Sequence, residues 1–335
     1  MVVNDVLPWH QATWRQLVRL ADSGRMPHAL LLSGAHGVGK QQLAEALIAR
    51  TLCAQPGDQA CGHCHACHML ASGYHPDLLR VSPEEGKRQI RIDPIREVNR
   101  FVSQTAQQGG YRVIVVSPAE AMNIAAANAL LKSLEEPGEK TLFILLSDVP
   151  SRTLPTIRSR CRELRLQPLD PDGMAAILRD LGIEGDPAQL AALSGGSVGE
   201  AVRLAGQGGL DLYQTIVRLF ADYPRIDRRA VAALADTAGG RPGADGDPFD
   251  LIVTLIDRFL TRAARTGLLG PPFPEAANGE AEVLARIAPD QRAAQLWAAA
   301  QAELSARARL GRSVNLDPSA LVMDMLIGLA NQPAS

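Results

Sequence analysis

Residues 29–41 read Ala29-Leu30-Leu31-Leu32-Ser33-Gly34-Ala35-His36-Gly37-Val38-Gly39-Lys40-Gln41. The apolar run 29–33 suits a strand buried on both faces. The following segment has the spacing G-x-x-x-x-G-K and leads into a helical stretch, residues 40–52. In such a loop, Gly34, Gly37 and Gly39 let backbone N–H groups surround a phosphate, and Lys40 adds a point charge. Strand before and helix after distinguish this arrangement from a chance glycine-rich turn. The residue after the lysine should be Ser or Thr, whose hydroxyl holds Mg²⁺. Here it is Gln41, and an amide is a poor ligand for a small octahedral cation.

Outward from this loop, residues 10–24 read as a helix and residues 77–81, 112–116 and 141–147 as strands, with a weaker strand at 162–166. Asp93-Pro94 marks a helix start, Asp as cap and Pro in the first turn. Residues 123–136 read as a helix stopped by Pro137-Gly138. Strands alternating with helices predict a parallel α/β sheet. After about residue 168 the strand signals cease. Residues 168–206 predict a small helical unit, and residues 210–335 an all-helical one with Gly/Pro-rich loops at 239–248 and 267–280.

A nucleotide hydrolase also needs an acidic pair after an apolar strand. Residues 113–116 are followed instead by Ser117-Pro118, neither charged, and the nearest acid, Glu120, reads as a solvated residue at a helix start. Phosphoryl transfer depends on Mg²⁺ and a positioned water. Two losses on that one chemistry predict a site that no longer turns over, although Lys40 leaves nucleotide binding open.

Of the five cysteines, four fall in Cys53-x7-Cys61-x2-Cys64-x2-Cys67. In a reducing compartment such crowding points to metal rather than disulfides. Four thiolates close a tetrahedral shell and leave no position for a catalytic water, so the expectation is a structural zinc. His63, His65, His68 or His75 could replace one sulfur, an iron–sulfur cluster is a lesser alternative, and free loop thiols are the bland one.

Composition narrows the rest. The 335 residues suffice for two or three domains. With 46% hydrophobic and 21% charged residues the chain is of ordinary globular type. Lys and Arg number 34 against 36 acids, a net charge of −2, which argues against a protein whose main work is gripping nucleic acid. No run of about 18 apolar residues predicts a membrane span. The first nine residues, with Asn4 and Asp5, lack a basic-then-apolar signal pattern, so a cytoplasmic location is expected.

A phosphate-loop helix followed directly by this cysteine spacing resembles the AAA+ clamp-loader subunits of bacterial DNA polymerase III. Two further stretches are similar to shared motifs of that family: Asn128-Ala129-Leu130-Leu131-Lys132-Ser133-Leu134-Glu135-Glu136-Pro137, and Ser159-Arg160-Cys161. The likeness covers residues 1–205 well. Beyond them it is weaker, resting on Ser313-Val314-Asn315-Leu316.

The resemblance implies a AAA+ P-loop α/β module at 1–167 with a zinc-binding insertion at 53–67, a lid domain at 168–206 and a collar oligomerisation domain at 210–335. The hydrolysing tau/gamma members keep Ser or Thr after the lysine, an acidic pair at 117–118, and a sensor arginine where this chain has Gly199. Their absence implies a non-hydrolysing member that lends Arg160 in trans to ATP on a neighbouring tau/gamma subunit. The implied setting is a hetero-pentamer with tau/gamma and delta subunits, acting on the sliding clamp and primer-template DNA.

Taken alone, Arg160 reads as paired with a nearby acid such as Glu163. Cys161 reads as a core residue, and Arg158 and Arg162 as solvated. The rivals are an active tau/gamma-type ATPase, disfavoured by Gln41, Ser117, Pro118 and Gly199, and a zinc-finger DNA reader, disfavoured by the balanced charge.

Overall fold

The computed structural model describes residues 6–84, 87–107, 110–241, 243 and 246–330. Asn4 and Asp5 and the side chain of Ser313 lie outside the described residues. The chain divides into two compact units, Met1–Pro168 and Leu169–Ser335.

The first unit is built on five parallel strands: β1 (Ala29–Ser33), β2 (Leu78–Val81), β3 (Arg112–Val116), β4 (Thr141–Ser147) and β5 (Arg162–Arg165), in the spatial order β2-β3-β4-β1-β5. Its helices are α1 (Gln11–Asp22), α2 (Lys40–Leu52), α3 (His65–Ala71), α4 (Ile92–Ser103), α5 (Ile124–Glu135) and α6 (Pro155–Arg158). β1, β3 and β4 are buried along their whole length, which is why they read as continuous apolar runs. Side chains alternate across the pleat. Leu30 and Leu32 pack with Leu43 and Leu47 of α2 on one face. Leu31 packs with Ile95 and Val98 of α4 and Leu130 and Leu134 of α5 on the other.

Strand order positions the site. β4 inserts between β1 and β3, with Ser33 opposite Ser147. The loop after β1 therefore emerges beside the loop after β4, at the carboxyl ends of the strands, where open α/β sheets bind ligands. The helix expected with Asp93 as its cap begins two residues earlier, with Arg91 at the N-cap. Asp93 lies inside the first turn of α4 and accepts from Arg96 Nη1 at 3.0 Å instead of capping. Asn123 does cap α5, accepting from the Ala126 amide at 2.8 Å.

Among the described residues, the named elements of the second unit are all helices: α7 (Pro171–Asp180), α8 (Pro187–Ser194), α9 (Val198–Gly206), α10 (Gly209–Leu219), α11 (Arg228–Ala238), α12 (Pro248–Leu269), α13 (Glu280–Ile287), α14 (Gln291–Ser313) and α15 (Pro318–Ala330). Asp-Pro recurs at the starts of α7, α8 and α12, with Asp170, Asp186 and Asp247 accepting backbone amides and Pro taking the first turn. Its core holds an aromatic cluster: Tyr213, Phe220 and Phe259 are fully buried, and Trp297 meets Phe220 edge-on at 6.1 Å. Within this unit α9 and α12 are tied by Glu200 and Arg258 at 2.8 Å. Among the described residues, no helix is long and apolar enough to cross a membrane.

Candidate phosphate cradle, cysteine cluster and exposed arginine

The loop between β1 and α2 has the backbone its glycines permit. Gly39 sits at φ +99°, and a Cβ there would come within 2.6 Å of Leu7 Cδ1 and 2.9 Å of His10 Nε2. Only glycine combines that conformation with so close an approach. The segment before α1 is fastened to the same place: Trp9 Nε1 donates to the Val38 carbonyl at 3.1 Å and His10 Nε2 at 2.7 Å. Burial holds the His10 imidazole below its usual pKa, and the Val38 hydrogen bond opposes that only in part.

Lys40 is 7% exposed and points back into its own loop. Its ammonium donates to the carbonyls of Gly34 and Ala35, each at 2.7 Å, and pairs with Asp148 Oδ1 at 2.6 Å. Asp148 Oδ2 accepts from His36 Nδ1 at 2.9 Å. Burial pushes the Asp148 carboxyl up, but the hydrogen bonds from His36 and Lys40 and the Lys40 charge outweigh it and hold the group down to about 2.

Asp148 directly follows β4, and its backbone is clamped in turn. Glu120 Oε1 accepts the amides of Asp148 at 2.9 Å and Val149 at 3.1 Å. Glu120 is therefore not the solvated residue its sequence context predicts: it turns inward because β3 and β4 are neighbours. Gln41 points away from the cradle and donates to Glu45 at 2.7 Å, which also receives both terminal nitrogens of Arg80. Ser117 follows β3 and its amide donates to the Val81 carbonyl at 2.9 Å. Gly199 lies in the first turn of α9, in the second unit.

The four cysteines of the insertion come together. Cys53 follows the last turn of α2, Cys64 precedes α3 and Cys67 lies in it. All four sulfurs lie within 4.8 Å of one another, with Cys53–Cys64 and Cys61–Cys67 at 4.0 Å. Tetrahedral zinc with Zn–S near 2.3 Å requires sulfurs about 3.8 Å apart, so the donor set fits such an ion. Backbone amides of Gln55 at 3.4 Å and Cys61 at 3.3 Å point at Cys53 Sγ, as support for a thiolate. Burial and the neighbouring sulfurs push the Cys67 thiol up to about 12. A dication would relieve that pressure by neutralising sulfurs that resist ionising together. The group contains no histidine: His63 Nδ1 donates to the Cys61 carbonyl, and His75 Nδ1 accepts the Asp77 amide. The insertion is docked on the unit by Trp14 Nε1, which donates to the Asp58 carbonyl at 3.1 Å, and by Arg50 Nε, on that of Gly57 at 3.0 Å.

Arg160 stands just past α6, a third exposed. Glu163 is not its partner. Nε donates to Glu135 Oε1 at 2.7 Å and Nη2 shares the same oxygen, while Nη1 reaches the Thr156 carbonyl at 2.9 Å and Ser159 Oγ at 3.2 Å. Glu163 instead accepts from Ser33 Oγ at 2.7 Å and faces Arg158 at 3.8 Å. Cys161 is buried, and burial raises its thiol to about 12, the state of an inert core residue.

Fold and loop define the class: an α/β P-loop module of AAA+ type, with Gln41 after the loop lysine and Ser117-Pro118 after β3. The family model described as "DNA polymerase III, delta subunit" matches residues 9–170 of the chain. It is 49% identical over 211 residues to a DNA polymerase III subunit delta' of Pseudomonas aeruginosa, an alignment covering 61% of this chain and 62% of that protein. It is 32% identical over 297 residues to a DNA polymerase III subunit gamma/tau of Mycobacterium tuberculosis, covering 79% of this chain and 51% of that one. The chain thus spans less than two thirds of the length of these relatives. A solved gamma subunit-related protein from Thermotoga maritima covers 96% of this chain at 18% identity, with a TM-score of 0.46.

Proposed function

We propose that this chain is a delta-prime-type subunit of a bacterial clamp loader. It does not hydrolyse ATP itself and lends Arg160 to the ATP bound by a neighbouring gamma/tau subunit. The assembly would be a hetero-pentamer with tau/gamma and delta subunits, placing the sliding clamp on primer-template DNA. Residues 168–206 would serve as the lid and residues 210–335 as the collar that joins the subunits. Cys53, Cys61, Cys64 and Cys67 would hold a structural Zn²⁺, which keeps the 53–67 insertion folded and takes no part in chemistry.

One observation carries the reading: the loop lysine is engaged by its own chain. All three Lys40 donors are engaged internally and Gln41 faces Glu45, while Arg160 remains at the surface. A guanidinium beside a transferring phosphoryl group offsets developing charge, and supplied in trans it is worth roughly 10³–10⁵ in rate in other nucleotide hydrolases.

The test is ATP turnover. The purified chain alone gives no Mg²⁺-dependent hydrolysis, its addition to gamma/tau and delta subunits raises theirs, and Arg160→Ala removes that gain. Equal stimulation by the alanine variant would remove the trans role. Steady turnover by the isolated chain would favour the tau/gamma-type motor.

A further inference from the structure

Arg160 is held in place before any partner arrives. A guanidinium has five N–H donors. Four of Arg160's are engaged: Nε and one Nη2 proton on Glu135 Oε1, and two Nη1 protons on the Thr156 carbonyl and Ser159 Oγ. One Nη2 proton is left for an incoming anion, and the plane of the group is fixed from two sides.

The acceptor that sets this geometry stands on a rigid element. Glu135 is the last residue of α5. Leu130 and Leu134 anchor that helix in the core. Its final turn is pinned by Ser133 Oγ, which donates to Asn99 Oδ1 at 2.7 Å, and by His28 Nε2, which donates to the Leu134 carbonyl at 3.0 Å. As a stabilising contact the pair counts for little, because Glu135 is 49% exposed and Arg160 33%. Its effect falls on the arginine. A long side chain that must be immobilised on meeting a phosphate loses rotamer freedom at that moment, and prior orientation removes the loss.

We propose that Glu135 is the positioning residue for Arg160, coupling the end of α5 to the Ser159-Arg160-Cys161 segment so that the guanidinium is presented ready-oriented to a nucleotide phosphate on a neighbouring subunit. This rests on the trans-acting reading of Arg160. Glu135 touches no nucleotide; it acts through the arginine.

The experiment uses the full assembly with gamma/tau and delta subunits and measures ATP turnover at saturating ATP. The reference is the share of turnover that Arg160→Ala removes. Glu135→Ala lowers that share about tenfold with KM for ATP unchanged. Glu135→Gln, which keeps an oxygen acceptor for Nε and Nη2, retains most of it. Adding Glu135→Ala to Arg160→Ala has no further effect. Thermal unfolding of the isolated variants confirms that each folds.

If Arg160→Ala lowers turnover but Glu135→Ala does not, the positioning role falls and the trans arginine stands. If Glu135→Ala costs as much in the Arg160→Ala background, the residue acts by another route and the proposal also falls. If Arg160→Ala removes nothing, both readings fall together.

Discussion

Lys40 and Asp148 form a 2.6 Å ion pair inside a loop shaped for phosphate, the lysine 93% buried and the carboxylate about a third exposed. The carboxylate stands where an anion would otherwise meet the ammonium. Because its pKa is held at about 2, below the ordinary 3.8, the pair contributes stability that is present above the ordinary value and is lost as pH falls from about 4 towards 2. Asp148→Asn should remove that acid sensitivity and lower stability at pH 7 by about 1–2 kcal/mol, a moderate figure because the carboxylate is partly solvated. Urea unfolding of the two proteins at pH 7 and pH 3 checks this: the difference between them narrows at the lower pH. A constant difference would mean that Asp148 acts by packing rather than charge.

The cradle and the cysteine cluster were legible because each is written in one short stretch. Glycine spacing, the following lysine and four cysteines within fifteen residues need no knowledge of the fold. The contacts that decide what these groups do were not legible. Asp148 meets Lys40 only because β4 lies between β1 and β3, and strand order is not a local property. The same neighbour relation turned Glu120 from an expected solvated residue into the clamp on the Asp148 backbone. Proximity in sequence likewise suggested Glu163 for Arg160, but Glu163 turns to Ser33 and Arg158, leaving Glu135 from the motif helix as partner. The position of Asp148, one residue past a fully buried strand, was the available signal for it.

Metal removal has a built-in reporter. Trp14 is 3% exposed and its indole nitrogen holds the Asp58 carbonyl inside the cysteine insertion. A protein carrying one zinc per chain should lose it to a strong chelator once the thiols are blocked. The insertion then loosens and the Trp14 emission shifts to the red. Replacing Trp9 and Trp297 with Phe isolates the signal, and elemental analysis gives the stoichiometry. Cys61→Ser should show the shifted emission without chelator. Zinc retained at one per chain in a variant lacking two of the four cysteines would remove the cluster as its site.

In the second unit, Glu280 is a fully buried carboxylate held by four donors: Tyr213 Oη at 2.6 Å, Arg262 Nε at 2.5 Å, Arg262 Nη2 at 2.8 Å and the Ala276 amide at 2.6 Å. Burial, with the Glu280 charge second, raises the Tyr213 hydroxyl well above its usual range, so it stays a donor. Removing one member leaves the others buried and unmatched. Glu280→Ala should cost about 3–5 kcal/mol, because it strands the Arg262 charge. Tyr213→Phe should cost about 1–2 kcal/mol, the loss of one hydrogen bond among several. Denaturant midpoints of the two variants measure the order, and a larger loss for Tyr213→Phe would show that the phenol, not the carboxylate, organises the cluster.

Restoring one missing group should not restore turnover. Gln41→Thr supplies a hydroxyl at the start of α2, but the end of β3 still offers Ser117 and Pro118, which bring no carboxylate to a cation. Lys40 still spends its donors on Gly34, Ala35 and Asp148. Each deficiency acts on a different requirement of phosphoryl transfer — metal, metal-side charge, and a lysine free for phosphate — so their effects are joint rather than additive. The isolated Gln41→Thr protein is therefore expected to hydrolyse ATP no faster than the unaltered chain in a phosphate-release assay with Mg²⁺. Adding Asp148→Asn frees the lysine but leaves the metal-side charge missing, and this double variant should remain inactive as well. Turnover by Gln41→Thr alone would mean that Lys40 leaves Asp148 readily and that an acid elsewhere at the strand ends, with Glu120 the nearest, can serve the metal.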